Sequence, residues 1–161
     1  MIVHIIGTRP NFIKCAAVYR ACEKAGLKQI VCYIPQHTDP NMSTDFAKEL
    51  GFPIECTELS SNSACAQTGN VVIVYGDCNC SLFGAAWAKF HRLQLVHVEA
   101  GLRSGDMTMP EERNRKAIDL VSDVKFMSEP SALKHLQAEG LEDKAFPVGN
   151  VMIDTLCHIL S

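Results

Sequence analysis

Glu99 and Glu111 are the side chains best placed to do chemistry. Glu99 opens the run Glu99-Ala100-Gly101-Leu102-Arg103-Ser104-Gly105-Asp106, and Glu111 follows in Pro110-Glu111-Glu112-Arg113-Asn114-Arg115. Carboxylates move protons at a substrate, and arginine forks hold phosphate, so the combination suits acid/base work on a phosphate-bearing molecule. The apolar run Leu95-Val96-His97-Val98 before Glu99 reads as a buried strand. In α/β sheets ligands lie at the carboxyl ends of strands, which is where both carboxylates fall. Glu99 there needs a partner, either Arg103 or a ligand. Glu111 and Glu112 occupy the first turn behind Pro110, a position the helix dipole favours without any function.

Two further strand ends carry candidate groups. Gly7-Thr8-Arg9-Pro10 closes the first apolar run and opens a helix. A glycine there lets backbone approach a ligand, and free helix N–H groups attract anions. Arg9 adds a forked donor, with Lys14 about one turn into the helix. The alternative is a tight turn with a solvated arginine. The full G-x-G-x-x-G spacing is missing, which disfavours a dinucleotide. Gly76-Asp77 closes the third apolar run, and that dipeptide alone favours Asp77 as a helix N-cap over a catalytic acid.

The six histidines are scattered without metal-site spacing. His4 and His97 fall inside strands, as satisfied core residues. His37, just beyond the second strand, is the histidine on the ligand side. Eight cysteines lie at 15, 22, 32, 56, 65, 78, 80 and 157, lacking paired CxxC spacing. Most read as small reduced core residues; Cys78-Asn79-Cys80 is the one close pair, with packing favoured over redox chemistry. Trp87 and Phe90 stand at core spacing on the helix after Asp77.

The elements that must position these groups alternate regularly. Strands are predicted at 2–6, 29–34, 71–75, 95–98, 124–127 and 145–148, and helices at 10–25, 42–50, 81–91, 111–121, 131–139 and from 151 onward. Strands that are continuously apolar belong to a sheet buried on both faces, hence parallel with helices on each side. Regular alternation makes this a Rossmann-like, doubly wound α/β domain with a mainly parallel sheet. Gly26 and Gly140 follow helices as C-terminal caps, and Pro110 suits a helix start. The stretch 55–69, rich in Ser, Thr, Asn and Cys, reads as a loop.

The 161 residues suffice for one domain with a core. Net charge of −3 without a basic block argues against nucleic acid or anionic membrane as partner. There is no apolar run long enough to span a bilayer and no visible signal peptide, so a cytoplasmic location is expected.

The sequence resembles the UDP-N-acetylglucosamine 2-epimerases, specifically their amino-terminal half. The segments that carry the likeness are GTRPNFIK at 7–14, QH at 36–37, YGD at 75–77, HVEAGLRSGD at 97–106, MPEERNR at 109–115 and VGNVMID at 148–154. The resemblance implies a GT-B-like pair of Rossmann-like domains with substrate between them. It implies C2 inversion of UDP-GlcNAc to UDP-ManNAc by anti-elimination of UDP and re-addition, or hydrolysis in some relatives, with no metal and no cofactor. It places Asp77, Glu99 and Glu111 as acid/base carboxylates. Arg9 and Lys14 would lie near the diphosphate, His37 near a nucleotide-sugar or effector contact, and Arg103 and Arg115 among the substrate-binding groups. On that resemblance, residues 1–161 are expected to be a single Rossmann-like domain, without the family's second, UDP-binding domain. The stretch between Leu50 and Val71 is shorter than in the family, where a crossover helix precedes the third strand. Two readings follow. One is an epimerase-type enzyme whose cleft is completed by a homo-oligomer or a second polypeptide. The other is a non-catalytic nucleotide-sugar- or protein-binding remnant that associates with another chain.

Overall fold

The runs Ile2–Ile6 (β1), Gln29–Tyr33 (β2), Val71–Tyr75 (β3), Gln94–Val98 (β4), Val124–Met127 (β5) and Ala145–Pro147 (β6), β-branched chiefly in β1 and β3, form one parallel sheet of order β2-β1-β3-β4-β5-β6. The computed structural model describes residues 1–35, 41–59 and 70–161. His37 and most of the stretch read as a loop at 55–69 lie outside the described residues. Helices Arg9–Lys24 (α1), Asn41–Glu49 (α2), Asn79–Phe90 (α3), Pro110–Val121 (α4), Ser131–Ala138 (α5) and Val151–Leu160 (α6) connect and flank the strands. Predicted and observed ends differ by two residues at most, the scale on which helix termini fray.

Alternation within the central strands supplies a core on each face of the sheet, and Met127 of β5 packs with Ala132 and Leu136 of α5 in a smaller cluster. Val3 and Ile5 of β1 and Val72 and Val74 of β3 face Ala85, Trp87 and Ala88 of α3 and Ile118 of α4. Ile6, Ile73 and Tyr75 face the other way, against Phe12, Cys15, Ala16 and Tyr19 of α1 and Ala47 of α2. Period-two side chains buried on both faces are what a parallel sheet between helix layers requires. Gly84 lets α3 come down on the sheet, because a Cβ there would lie 2.8 Å from Ile5 Cδ1. Phe90 corrects the sequence expectation: it is 78% exposed, on the outward face of α3 that it shares with exposed Phe83 and Ala86 at helical spacing, while Trp87 is buried.

His4 and His97 are core histidines with both ring nitrogens satisfied. His4 Nδ1 meets the Tyr75 hydroxyl at 2.6 Å and Nε2 meets Gln29 Oε1 at 2.9 Å. Burial drives its pKa down to about 4. A neutral ring accepting from Tyr75 and donating to Gln29 fits both contacts.

The sheet order sets the place of the site. The chain leaves β1 for β2 on one side, then crosses to β3 on the other. That reversal opens a crevice between the carboxyl ends of β1 and β3. In-register pairing of Val74 with His97 and of Tyr75 with Val98 brings Gly76 and Glu99 level at that edge.

Candidate active site

Gly7 and Thr8 follow β1, Gly76 and Asp77 follow β3, and Glu99 follows β4, so three loops meet at one edge of the sheet. Thr8, Pro10, Asp77, Cys78, Asn79, Pro110, Glu111 and Asn114 line a cleft of about 380 Å³ there. Asp77 and Glu111, far apart in sequence, share its wall.

Glu99 has a cation, but not the one expected. Lys14 of α1, buried to 7% exposure, forms the ion pair with Glu99, and Arg103 does not. Lys14 reaches across because position 76 has no side chain: a Cβ on Gly76 would stand 3.0 Å from Lys14 Nζ. Glu99 itself takes a left-handed backbone (φ 76°), a conformation that costs a non-glycine residue about 1–2 kcal/mol. Its backbone N–H donates to Phe126 O at 2.9 Å, which holds the turn.

Arg103 is occupied elsewhere. Its Nη1 donates to Asp119 Oδ2 at 2.7 Å, and Nε and Nη2 grip Glu139 at 3.0 and 2.5 Å. Asp119 lies fully buried on α4. It also takes His97 Nδ1 at 2.6 Å and the Gly101 N–H at 3.0 Å. Burial alone would raise the Asp119 carboxyl, but His97 and Arg103 hold it below its ordinary value. His97 Nε2 meets Gly76 O at 2.9 Å, so one relay of side chains runs from the β3 loop to the 99–105 loop.

Asp77 also departs from expectation: Cys78, not Asp77, is the N-cap residue of α3. The Asp77 carboxylate pairs instead with Arg115 of α4. Arg115 Nη1 donates to Glu112 Oε2 at 3.1 Å, and Asn114 Nδ2 donates to Asp77 O at 2.8 Å and Asn79 Oδ1 at 3.0 Å. Glu112 is fully buried and accepts from Ser104 N and Gly105 N at 3.0 and 3.2 Å. Burial pushes its pKa up, yet these backbone donors and Arg115 outweigh that and bring it to about 2. Of the adjacent pair, Glu112 fastens the loop, while Glu111 is exposed and makes no hydrogen bond or ion pair among the described residues.

The entry to α1 is more self-contained than its glycine suggested. Asn11 Oδ1 accepts from Gly7 N and Thr8 N, both at 3.2 Å, and from Thr8 Oγ1 at 3.0 Å, while its Nδ2 donates to Tyr75 O at 2.9 Å. Gly7 is required by protein rather than ligand: a Cβ there would strike Ile34 O and sit 2.5 Å from Cys80 Sγ. Arg9 is exposed, with its guanidinium 5.4 Å above the Phe46 ring. Among the cations expected near a diphosphate, Arg9 therefore remains open to one, whereas Lys14 is engaged by Glu99. No group of three or more metal-ligating side chains occurs among the described residues.

Asn11, Asp119 and Glu112 are the supporting residues that sequence reading missed. Asn11 had a signal, since it lies three residues after Thr8 in capping-box spacing. Asp119 had none, being one acid among helical residues until the sheet brings His97 to it.

The family model for UDP-N-acetylglucosamine 2-epimerase matches residues 20–161. The chain is 39% identical to a UDP-2,3-diacetamido-2,3-dideoxy-D-glucuronate 2-epimerase of Pseudomonas aeruginosa, over 93% of this chain and 48% of that protein. It is 38% identical to a UDP-N-acetylglucosamine 2-epimerase of Methanocaldococcus jannaschii, over 93% of this chain and 46% of that protein. The crystal structure of M. jannaschii UDP-GlcNAc 2-epimerase with UDP-GlcNAc and UDP superposes with a TM-score of 0.84 at 35% identity, covering 98% of this chain and 48% of that one. The chain thus spans about half the length of the curated relatives it matches. No helix among the described residues is long and apolar enough to cross a membrane.

Proposed function

On the premise that this chain belongs to the UDP-N-acetylglucosamine 2-epimerase family, we propose that it is the substrate-facing amino-terminal domain of an epimerase that inverts C2 of a UDP-linked 2-acetamido sugar. The observation that carries this reading is the cleft itself. It places Asp77 and Glu111 on one wall at the β1/β3 crevice, with Glu99 level with Gly76 one strand away. Inversion of UDP-GlcNAc to UDP-ManNAc by anti-elimination and re-addition needs a base for the C2 proton and a donor for the departing diphosphate oxygen. Glu111 meets the first need best, since it can take a proton without breaking an ion pair. Asp77 and Glu99 are held in place by Arg115 and Lys14. Arg9 is the exposed fork available to the diphosphate.

Two relatives of nearly equal identity are named for different UDP-sugars, so the shared chemistry, a UDP sugar inverted at C2, is the level at which the substrate is proposed. Residues 1–161 would act as one Rossmann-like domain, the opposite wall coming from polypeptide beyond them: a second copy, a second chain or a longer form. An apolar groove of about 390 Å³ between α1, α2 and α6, with Ile153, Leu156 and Ile159 more than half exposed, supports such an association. The same one-walled cleft favours a second reading, a nucleotide-sugar- or protein-binding module without turnover of its own.

Proton NMR of UDP-GlcNAc in D₂O with the purified chain tests both. Deuterium entering C2, or new UDP-ManNAc signals, supports the epimerase reading. Saturation transfer to UDP-GlcNAc without exchange supports the binding module. Absence of both, from the folded chain, overturns turnover and nucleotide-sugar binding by this chain alone and leaves the reading in which a second polypeptide completes the cleft to the same measurement on the assembled pair.

A further inference from the structure

The sequence Cys78-Asn79-Cys80-Ser81 puts two thiols and a hydroxyl on the first turn of α3, directly after Asp77. Cys78 Sγ lies 3.0 Å from Cys80 Sγ and 3.0 Å from Ser81 Oγ. Both sulfurs also approach Asn11 Oδ1, at 3.1 and 3.3 Å. The two cysteines differ in access: Cys78 lines the cleft, whereas Cys80 is 4% exposed behind it. An accessible sulfur backed by a sheltered one within hydrogen-bond distance is the arrangement of an attacking and a resolving thiol. Closing the pair to a disulfide needs an approach of about 1 Å, from the observed 3.0 Å.

We propose that Cys78 and Cys80 form a peroxide-responsive dithiol in the wall of the cleft, Cys78 attacking and Cys80 resolving. The Cys78 thiolate attacks one peroxide oxygen, the O–O bond breaks, and the departing oxygen leaves as water or alcohol after taking a proton. Cys78 sulfur is thereby oxidised by two electrons to the sulfenic acid. Cys80 sulfur then attacks Cys78 sulfur, the S–S bond forms, the S–O bond breaks, and hydroxide leaves as water with the Cys80 proton. The hydrogen bond from Cys80, followed by those from Ser81, outweighs burial and pulls the Cys78 thiol down to about 5; the same contact pushes Cys80 up. The N-terminus of α3 adds its positive end to the thiolate.

The step reaches the candidate site through covalent neighbours. A bridge across 78–80 encloses Asn79, which Asn114 holds at 3.0 Å, and pulls on Asp77 one residue away. It also withdraws both sulfurs from Asn11, the residue that organises the entry to α1. The proposal needs no turnover, so its failure and that of the epimerase reading are separate results.

Reduced protein is treated with one equivalent of hydrogen peroxide at pH 6, quenched with iodoacetamide and mapped by peptide mass spectrometry. The expected result is loss of two hydrogens between Cys78 and Cys80, about fivefold or more faster than oxidation of exposed Cys157. The lowered Cys78 thiol is largely thiolate at pH 6, a gain offset by the lower intrinsic nucleophilicity of such a thiolate. In Cys80→Ser, dimedone should trap a sulfenic acid at Cys78. If that variant folds poorly, the pH profile of iodoacetamide alkylation at Cys78 in the unaltered protein replaces it, with half-maximal rate expected near pH 5. Oxidation that begins at Cys157 or another cysteine, no adduct in a folded Cys80→Ser, or an alkylation midpoint above pH 8 overturns the proposal.

Discussion

Lys14 and Glu99 form an ion pair over the carboxyl edge of the sheet, tying the second turn of α1 to the turn that follows β4. The lysine is nearly buried and the carboxylate about one quarter exposed, so each is the other's principal compensation for lost water. The pair also decides which cation is spent on protein and which stays open. Lys14 is committed to a carboxylate, while Arg9, five residues earlier, faces solvent.

Removing one partner should expose this dependence. Lys14→Met is expected to destabilise the domain by about 2 kcal/mol, because it leaves Glu99 partly buried without a cation. The double variant Lys14→Met/Glu99→Gln should recover at least half of that loss. Urea denaturation of the two single variants and the double variant reads the coupling, and strict additivity would contradict it.

Glu111→Gln separates chemistry from architecture. Glu111 is exposed and unpaired among the described residues, so stability should stay within about 0.5 kcal/mol. Exchange at C2 of UDP-GlcNAc should fall by a factor of about 10²–10⁴ wherever the unaltered protein supports it. Glu112→Gln should do the reverse first: it weakens the grip on Ser104 and Gly105, and thermal unfolding should show the loss directly.

Acid should remove stability in two stages. Folded His4 stays neutral down to about pH 4, whereas an unfolded histidine binds a proton below about 6.5. The unfolded state therefore takes up protons first, and stability drops by about 3 kcal/mol between those values, then levels. Glu112, held at about 2, contributes stability that is complete above its ordinary value of 4.5 and is lost as pH falls toward 2. Denaturation midpoints at stepped pH, with NMR titration of the His4 ring, check both; a His4 midpoint near 6.5 would contradict the first stage.

Three glycines should respond to alanine in different ways. At Gly7 the cost is collision with Ile34 O and Cys80, and at Gly101 it is collision with Ala132 O at 2.8 Å plus a left-handed backbone (φ 79°). Each should lose about 2–4 kcal/mol. Gly26 has the same backbone sign (φ 69°) but open space around it, so Gly26→Ala should lose only about 1 kcal/mol. Thermal melts of the three variants give the order.

Arg103→Lys tests whether the guanidinium serves the fold. A lysine cannot reach Asp119 and both oxygens of Glu139 together, so a loss of about 1–3 kcal/mol is expected in thermal denaturation. Binding of UDP-GlcNAc by the folded fraction should be retained. Lost binding with unchanged stability would return Arg103 to the substrate.

Much of the architecture was legible because its signals are local. Apolar runs such as Val71–Tyr75, alternating with helical stretches capped by Gly26 and Gly140, suffice to place a parallel sheet between helix layers. They also put Asp77 and Glu99 at strand ends. Phe90 misled because its spacing from Trp87 fits a shared face, whereas the buried stripe runs through Gly84, Ala85 and Ala88 and leaves Phe90 outward with Phe83 and Ala86. Asp77 misled because an acid before a helix is a good cap, and only α4 packing nearby brings Arg115 to it.

The order of residues was enough to settle the elements, the doubly wound class and the strand edge at which carboxylates gather, since periodicity and turn chemistry act over a few residues. The partners of the charges were decided by the fold. Lys14 rather than Arg103 meets Glu99, Arg103 goes to Asp119 and Glu139, and Glu112 rather than Glu111 is buried. Each of these pairings joins segments that only β-sheet register and helix packing bring together. A formal charge carries no record of its distant neighbour, and long-range geometry chooses among cations that are equivalent in sequence.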